Sequence, residues 1–82
     1  MSEKLEFDTD KIDEMALAIL YFGMHRDRSG VYAWRGLAWE IMDRMFEKGW
    51  ISDPKSKAKS VGVSEETEAL AAELARKYFA PD

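Results

Sequence analysis

Apolar and polar positions along the chain fall into three stretches with helical spacing and two short stretches with strand spacing. The first helical stretch runs from Thr9 to His25. Asp8 precedes it as an N-cap whose carboxylate can accept free N–H groups of the first turn, and Phe7 and Ile12 stand at the staple positions. Asp10, Asp13 and Glu14 suit the positive end of this helix, and His25 and Arg26 suit the negative end. Its body, Met15 to Met24, is apolar nearly all round, whereas a helix on a protein surface carries one apolar stripe. Such a helix has to be wrapped by its own domain or by a second chain. Ala16 and Gly23, seven apart on one face, allow close approach.

Arg26 to Gly30 reads as a turn and Val31 to Trp34 as a short strand. A second helix opens at Arg35 or Gly36 and closes at Lys48, with Gly49 as the residue just past its end. Its apolar arc holds Trp34, Ala38, Ile41, Met42, Met45 and Phe46, with Trp39 at the edge. The opposite arc holds Glu40, Asp43, Arg44, Glu47 and Lys48, where Glu40 and Arg44 have ion-pair spacing.

From Gly49 to Glu66 the pattern changes to GWISDPKSKAKSVGVSEE. Trp50 and Ile51 begin a strand, and Asp53–Pro54 breaks it into a turn. Lys55, Lys57 and Lys59 form a comb at the tip, and Val61 and Val63 alternate with Ser60 and Gly62 on a return strand. Ser64 caps a third helix, with Glu65 and Glu66 in its first turn and Arg76 and Lys77 in its last. Leu70, Ala71, Leu74, Ala75 and Tyr78 make its apolar face, and Pro81 stops it.

These elements predict an α+β fold of three helices with a small antiparallel β-hairpin sheet, in a single domain over residues 1–82. A plain three-helix bundle with an extended lysine loop is the alternative. The first and third helices are expected to pack together. A chain this short buries only about 60–65% of its extended surface, which favours sharing an interface. The all-round apolar first helix therefore predicts a homodimer, with Leu17, Leu20, Tyr21, Met24, Leu74 and Tyr78 at its interface.

Cysteine is absent, which removes disulfides, thiolate metal sites and a cysteine nucleophile. The longest uncharged run, Met15 to Met24, is ten residues, short of a membrane span, and the N-terminus lacks the apolar region of a signal peptide. The expectation is a soluble cytoplasmic protein. The net charge of −4 divides unevenly: residues 1–25 carry −4, residues 26–59 carry +3 and residues 60–82 carry −3. The central segment alone has the sign that attracts phosphate.

From Glu47 onward the chain resembles the end of a MarR-type winged helix. The matching residues are Glu47-Lys48-Gly49-Trp50-Ile51, Asp53-Pro54, Ser60 to Val63, and Ser64-Glu65-Glu66. The resemblance implies a reduced winged-helix-like arrangement. Only one helix separates the first helix from the wing, where that family has at least two, so the turn-helix half is missing or shrunk into Arg28–Trp34. Over nearly its full length, on FDTDKIDEMALAIL and ISDPKSKAKSV, the chain is similar to a family of small uncharacterised bacterial proteins. That resemblance implies a self-contained domain and carries no activity with it.

Two classes of function follow. One is a protein-interaction or dimerisation module, with the chain itself or another protein as partner. The other is a nucleic-acid-binding regulator, with Lys55, Lys57 and Lys59 along a phosphate backbone and Arg44 and Lys48 on the preceding helix. Glu40, Asp43 and Glu47 on the same helix would repel phosphate. The lysine comb also reads as a solvated loop that discourages edge pairing. Asp8, Asp10, Asp13 and Glu14 fail the calcium-loop pattern, because Ile12 falls at a ligand position and the turn glycine is absent. His25 is the sole imidazole, so no zinc set or catalytic triad can be assembled, and neither an enzyme nor a cofactor is expected. The methionines and tryptophans sit at core spacing; an exposed Trp34 or Trp39 would instead mark a contact surface.

Overall fold

The computed structural model describes residues 6–34, 36–54 and 60–81. The order is α1 (Thr9–Tyr21), β1 (His25–Asp27), β2 (Gly30–Trp34), α2 (Trp39–Glu47), β3 (Ser60–Val63) and α3 (Glu65–Phe79). The α+β class and the three helices are as the sequence predicts, and the sheet has one strand more than a hairpin.

The ends of the helices follow their caps. The Asp8 carboxylate accepts from the Lys11 N–H at 3.0 Å, and Ser64 Oγ accepts from the Thr67 N–H at 3.1 Å. Helix α1 ends at Tyr21 rather than at His25, because Phe22 to Met24 leave the α ladder and bond back three residues, Gly23 N–H to the Leu20 carbonyl at 2.9 Å. His25 is therefore not at a helix end. It lies on β1 opposite Tyr32, the two rings stacked with centroids 5.8 Å apart. Helix α2 begins at Trp39, later than the sequence predicts. Ala38 stands at its N-cap without a side-chain bond. Gly49 follows its C-cap at φ +79°, the left-handed conformation that glycine adopts at no steric cost.

The three strands are antiparallel in the order β1-β2-β3. Val31 pairs with Val63 and Ala33 with Val61, so the buried side chains of β2 and β3 line one face. The turn between β1 and β2 is tightened by Asp27, whose Oδ1 accepts from the Ser29 N–H and Oγ at 2.7 Å each; these bonds hold the Asp27 carboxyl below its usual range. The strand expected at Trp50–Ile51 contracts to a single bridge from Ile51 to Val63. Ser52 extends it by donating its N–H to the Gly62 carbonyl at 3.0 Å and accepting the Gly62 N–H on Oγ at 2.8 Å.

Helix α1 is the centre of the molecule, packed chiefly on α3 and also on α2 and β2. This explains why it is apolar nearly all round: three sides meet other elements. Leu17, Ala18 and Leu20 join Val31, Ala33, Met42, Met45, Val61 and Leu74 in one core. Each fully buried Leu, Val or Met side chain there contributes about 1.5–3 kcal/mol of transfer free energy.

Candidate functional site

Three surfaces carry side chains that the core leaves unexplained: the seam between α1 and α2, the outer arc of α1, and the outer arc of α2.

The seam is built on Asp13, which is fully buried on α1. Arg44 and Lys48, one turn apart on α2, both reach it. Arg44 donates from Nε to both carboxylate oxygens at 3.0 and 2.9 Å, and its NH2 lies 2.9 Å from Oδ1. Lys48 Nζ donates to Asp13 Oδ2 at 2.8 Å and to Asp10 Oδ1 at 3.0 Å, and lies 5.0 Å from the centroid of the Trp50 ring. Burial raises the Asp13 pKa. The hydrogen bonds and charges of Arg44 and Lys48 outweigh it and hold the carboxyl below its usual range. The same contacts push Arg44 and Lys48 up, so all three stay charged at neutral pH. Among the described residues, no buried side-chain polar atom lacks a partner.

The sequence sets Arg44 and Lys48 on the solvated arc of α2; the structure folds them over onto Asp13. Arg44 pairs with Asp13 rather than with Glu40. Asp13, read from the sequence as a helix-dipole acid, is a buried ion. The spacing that could have shown this is Asp13, Leu17 and Leu20, one continuous helical face. Lys55, Lys57 and Lys59 lie outside the described residues.

Among the residues expected between two copies, Leu17, Leu20 and Leu74 lie in the chain's own core. Tyr21 is exposed, and Met24 and Tyr78 are half-buried against the core. Tyr78 donates its hydroxyl to Glu14 Oε1 at 2.7 Å, tying α3 to α1 and raising the phenol's pKa. Apart from Tyr21, the apolar residues of α1 that reach solvent are others. Met15, Ile19 and Phe22 form the outer arc of α1, the last two 56% and 69% exposed. Phe22 meets Phe79 of α3 with centroids 6.2 Å apart, beside a shallow groove of about 290 Å³ lined by Tyr21, Ala72, Ala75 and Arg76. The sequence signal for this arc is the i, i+4, i+7 spacing of its three residues.

On α2, Trp39 and Phe46 are 58% and 45% exposed on the arc that also carries Glu40, Asp43 and Glu47. Trp34, at the end of β2, is 61% exposed. Trp34 and Trp39, expected in the core by their spacing, are surface residues. A separate groove of about 630 Å³ lies between the starts of α1 and α2, lined by Phe7, Ile12, Ala38, Glu40, Ile41 and Arg44 but not by Trp39 or Phe46.

No cluster of metal-ligating side chains occurs among the described residues. No helix among them is long and apolar enough to cross a membrane.

Comparison with known proteins places the chain in a family. The uncharacterized protein y4hR of Sinorhizobium fredii (strain NBRC 101917 / NGR234) is 40% identical over 75 residues, spanning 92% of this chain and 97% of that protein. No solved structure matches the chain. The profile of a family described as a domain of unknown function, DUF6429, matches residues 8–81, from the N-cap of α1 to the proline after α3, and the chain belongs to that family.

Proposed function

We propose that the protein is a small interaction module that pairs with a second copy of itself through the outer arc of α1. The observation that carries this reading is the apolar strip of Met15, Ile19 and Phe22, continued by Phe79, on a helix whose other sides are already covered. Scattered exposed apolar residues are ordinary, but four on one continuous strip mark a contact site. The polar residues of α3 favour a copy of the same chain as occupant. The last turns of α3, beside Phe79, carry Glu73, Arg76 and Lys77, so a two-fold antiparallel arrangement sets the acid of each copy near the bases of the other. Ala69 and Ala72, on the same side of α3 as Phe79, let backbones approach closely. Sedimentation of the full chain at tens of micromolar tests this. A dimer is expected, with the Ile19→Glu variant monomeric and still helical by circular dichroism. A wild-type monomer at that concentration overturns the reading.

A second reading, nucleic-acid contact by a winged-helix-like arrangement, is favoured by one feature. The bridge from Ile51 to Val63 and the paired bonds of Ser52 and Gly62 form the stem that a wing after α2 requires. This stem matches the segment that resembles the MarR-type winged helix. The cations would be Lys55, Lys57 and Lys59, because Arg44 and Lys48 are engaged by Asp13. The expected outcome is salt-sensitive binding of duplex DNA that weakens when the three lysines become alanine. No binding at low salt removes this reading.

A further inference from the structure

We infer that the outer arc of α2 is a docking surface for a basic amphipathic helix of another protein, distinct from the α1 strip. Trp39 and Phe46 stand seven residues apart, about 10 Å along the helix axis, as two apolar anchors facing the same way. A shallow groove of about 280 Å³ beside Phe46, lined also by Asp43, Glu47 and Asp53, gives the second of them a concave, acidic neighbour that can take an incoming basic side chain. Helix-in-groove recognition uses such pairs of anchors at helical spacing.

The sign of the partner follows from charge. Glu40, Asp43 and Glu47 line this arc at three- and four-residue spacing, and none of the ion pairs among the described residues reaches them. Asp13 and Asp10 hold Arg44 and Lys48 on the inner side, so of the three acids only Glu40 feels a base of α2, the charge of Arg44. The outer arc is therefore apolar and acidic together. It repels phosphate and acidic segments, and it complements a helix with leucine-like anchors flanked by lysine or arginine. An arginine from such a helix can also lie over the exposed Trp39 ring. This surface shares no residue with the strip of Met15, Ile19 and Phe22, so loss of one leaves the other standing.

The test uses the full chain and two labelled synthetic helical peptides with leucines at the same spacing, one with lysines elsewhere and one with glutamates. Fluorescence anisotropy is expected to show binding of the lysine peptide alone. Trp39→Ala, which changes no charge, is expected to weaken it about tenfold. The combined Glu40→Gln, Asp43→Asn and Glu47→Gln variant is expected to weaken it similarly and to flatten its salt dependence. Circular dichroism of these surface variants confirms that they fold. Equal binding of both peptides, binding unaffected by Trp39→Ala, or no binding of the lysine peptide at low salt overturns the proposal.

Discussion

Asp13 is the residue on which the interior turns. A carboxylate with no exposure survives as an ion only because a guanidinium and an ammonium meet it from the facing helix. Replacing it with asparagine keeps the shape but leaves two cations facing a neutral amide. Both retain partial access to solvent, so the loss is expected near the lower end for a broken buried pair, about 3 kcal/mol, measured by urea unfolding. Arg44→Lys is expected to cost less, about 1–2 kcal/mol, because it keeps the charge but gives up the fork of bonds to both oxygens. The pH dependence follows from the depressed Asp13 carboxyl. Between its unfolded value, about 3.9, and its lower folded value, the unfolded chain binds more protons than the folded one. The stabilisation is whole above that window and is lost as pH falls through it. Asp13→Asn should therefore be less stable at neutral pH and show a shallower decline from pH 5 downward in acid unfolding monitored by circular dichroism. An unchanged acid slope would show that other carboxyls govern it.

At the scale of elements, the chain was legible where local rules decide and illegible where distant pairing does. The caps at Asp8 and Ser64, the exit at Gly49 and the buried alternation of Val31, Ala33, Val61 and Val63 are all readable from neighbours in sequence. Strand β1 is not, because His25, Arg26 and Asp27 are all exposed and carry no alternation. They are extended because β2 offers them a partner and because Phe22 to Met24 break the helix ahead of them. The late start of α2 has a similar cause, since no capping side chain precedes Trp39. The buried role of Asp13 depends on bases more than thirty positions away, which periodicity cannot join. The local rules can be tested at Gly49. A Cβ built there meets nothing within 4 Å, so Gly49→Ala probes the backbone alone. It should cost about 1–2 kcal/mol, the penalty of a left-handed L-residue, read from the shift of the urea midpoint at constant slope. A neutral result would mean that the turn relaxes to another conformation.

At the scale of the molecule, a central helix covered on three sides leaves its fourth side exposed. Under the proposed pairing of two copies, stability becomes a property of concentration. If the strip of Met15, Ile19, Phe22 and Phe79 is closed by a second copy, unfolding releases two chains from one dimer, and each tenfold rise in concentration is worth about 1.4 kcal/mol of dimer. The thermal midpoint of the wild type should therefore climb steadily across a hundredfold dilution series followed by circular dichroism. Ile19→Glu places a charge at the centre of the strip without touching the core, since Ile19 is already more than half exposed in the single chain. Its midpoint should be lower than that of the wild type at high concentration and independent of concentration throughout. The aromatic arc of α2 gives the internal control: Trp39→Ala should leave the slope of midpoint against concentration as it is in the wild type. A wild-type midpoint that does not move with concentration would assign the α1 strip to a different occupant, and a slope abolished by Trp39→Ala would move the contact between copies onto α2.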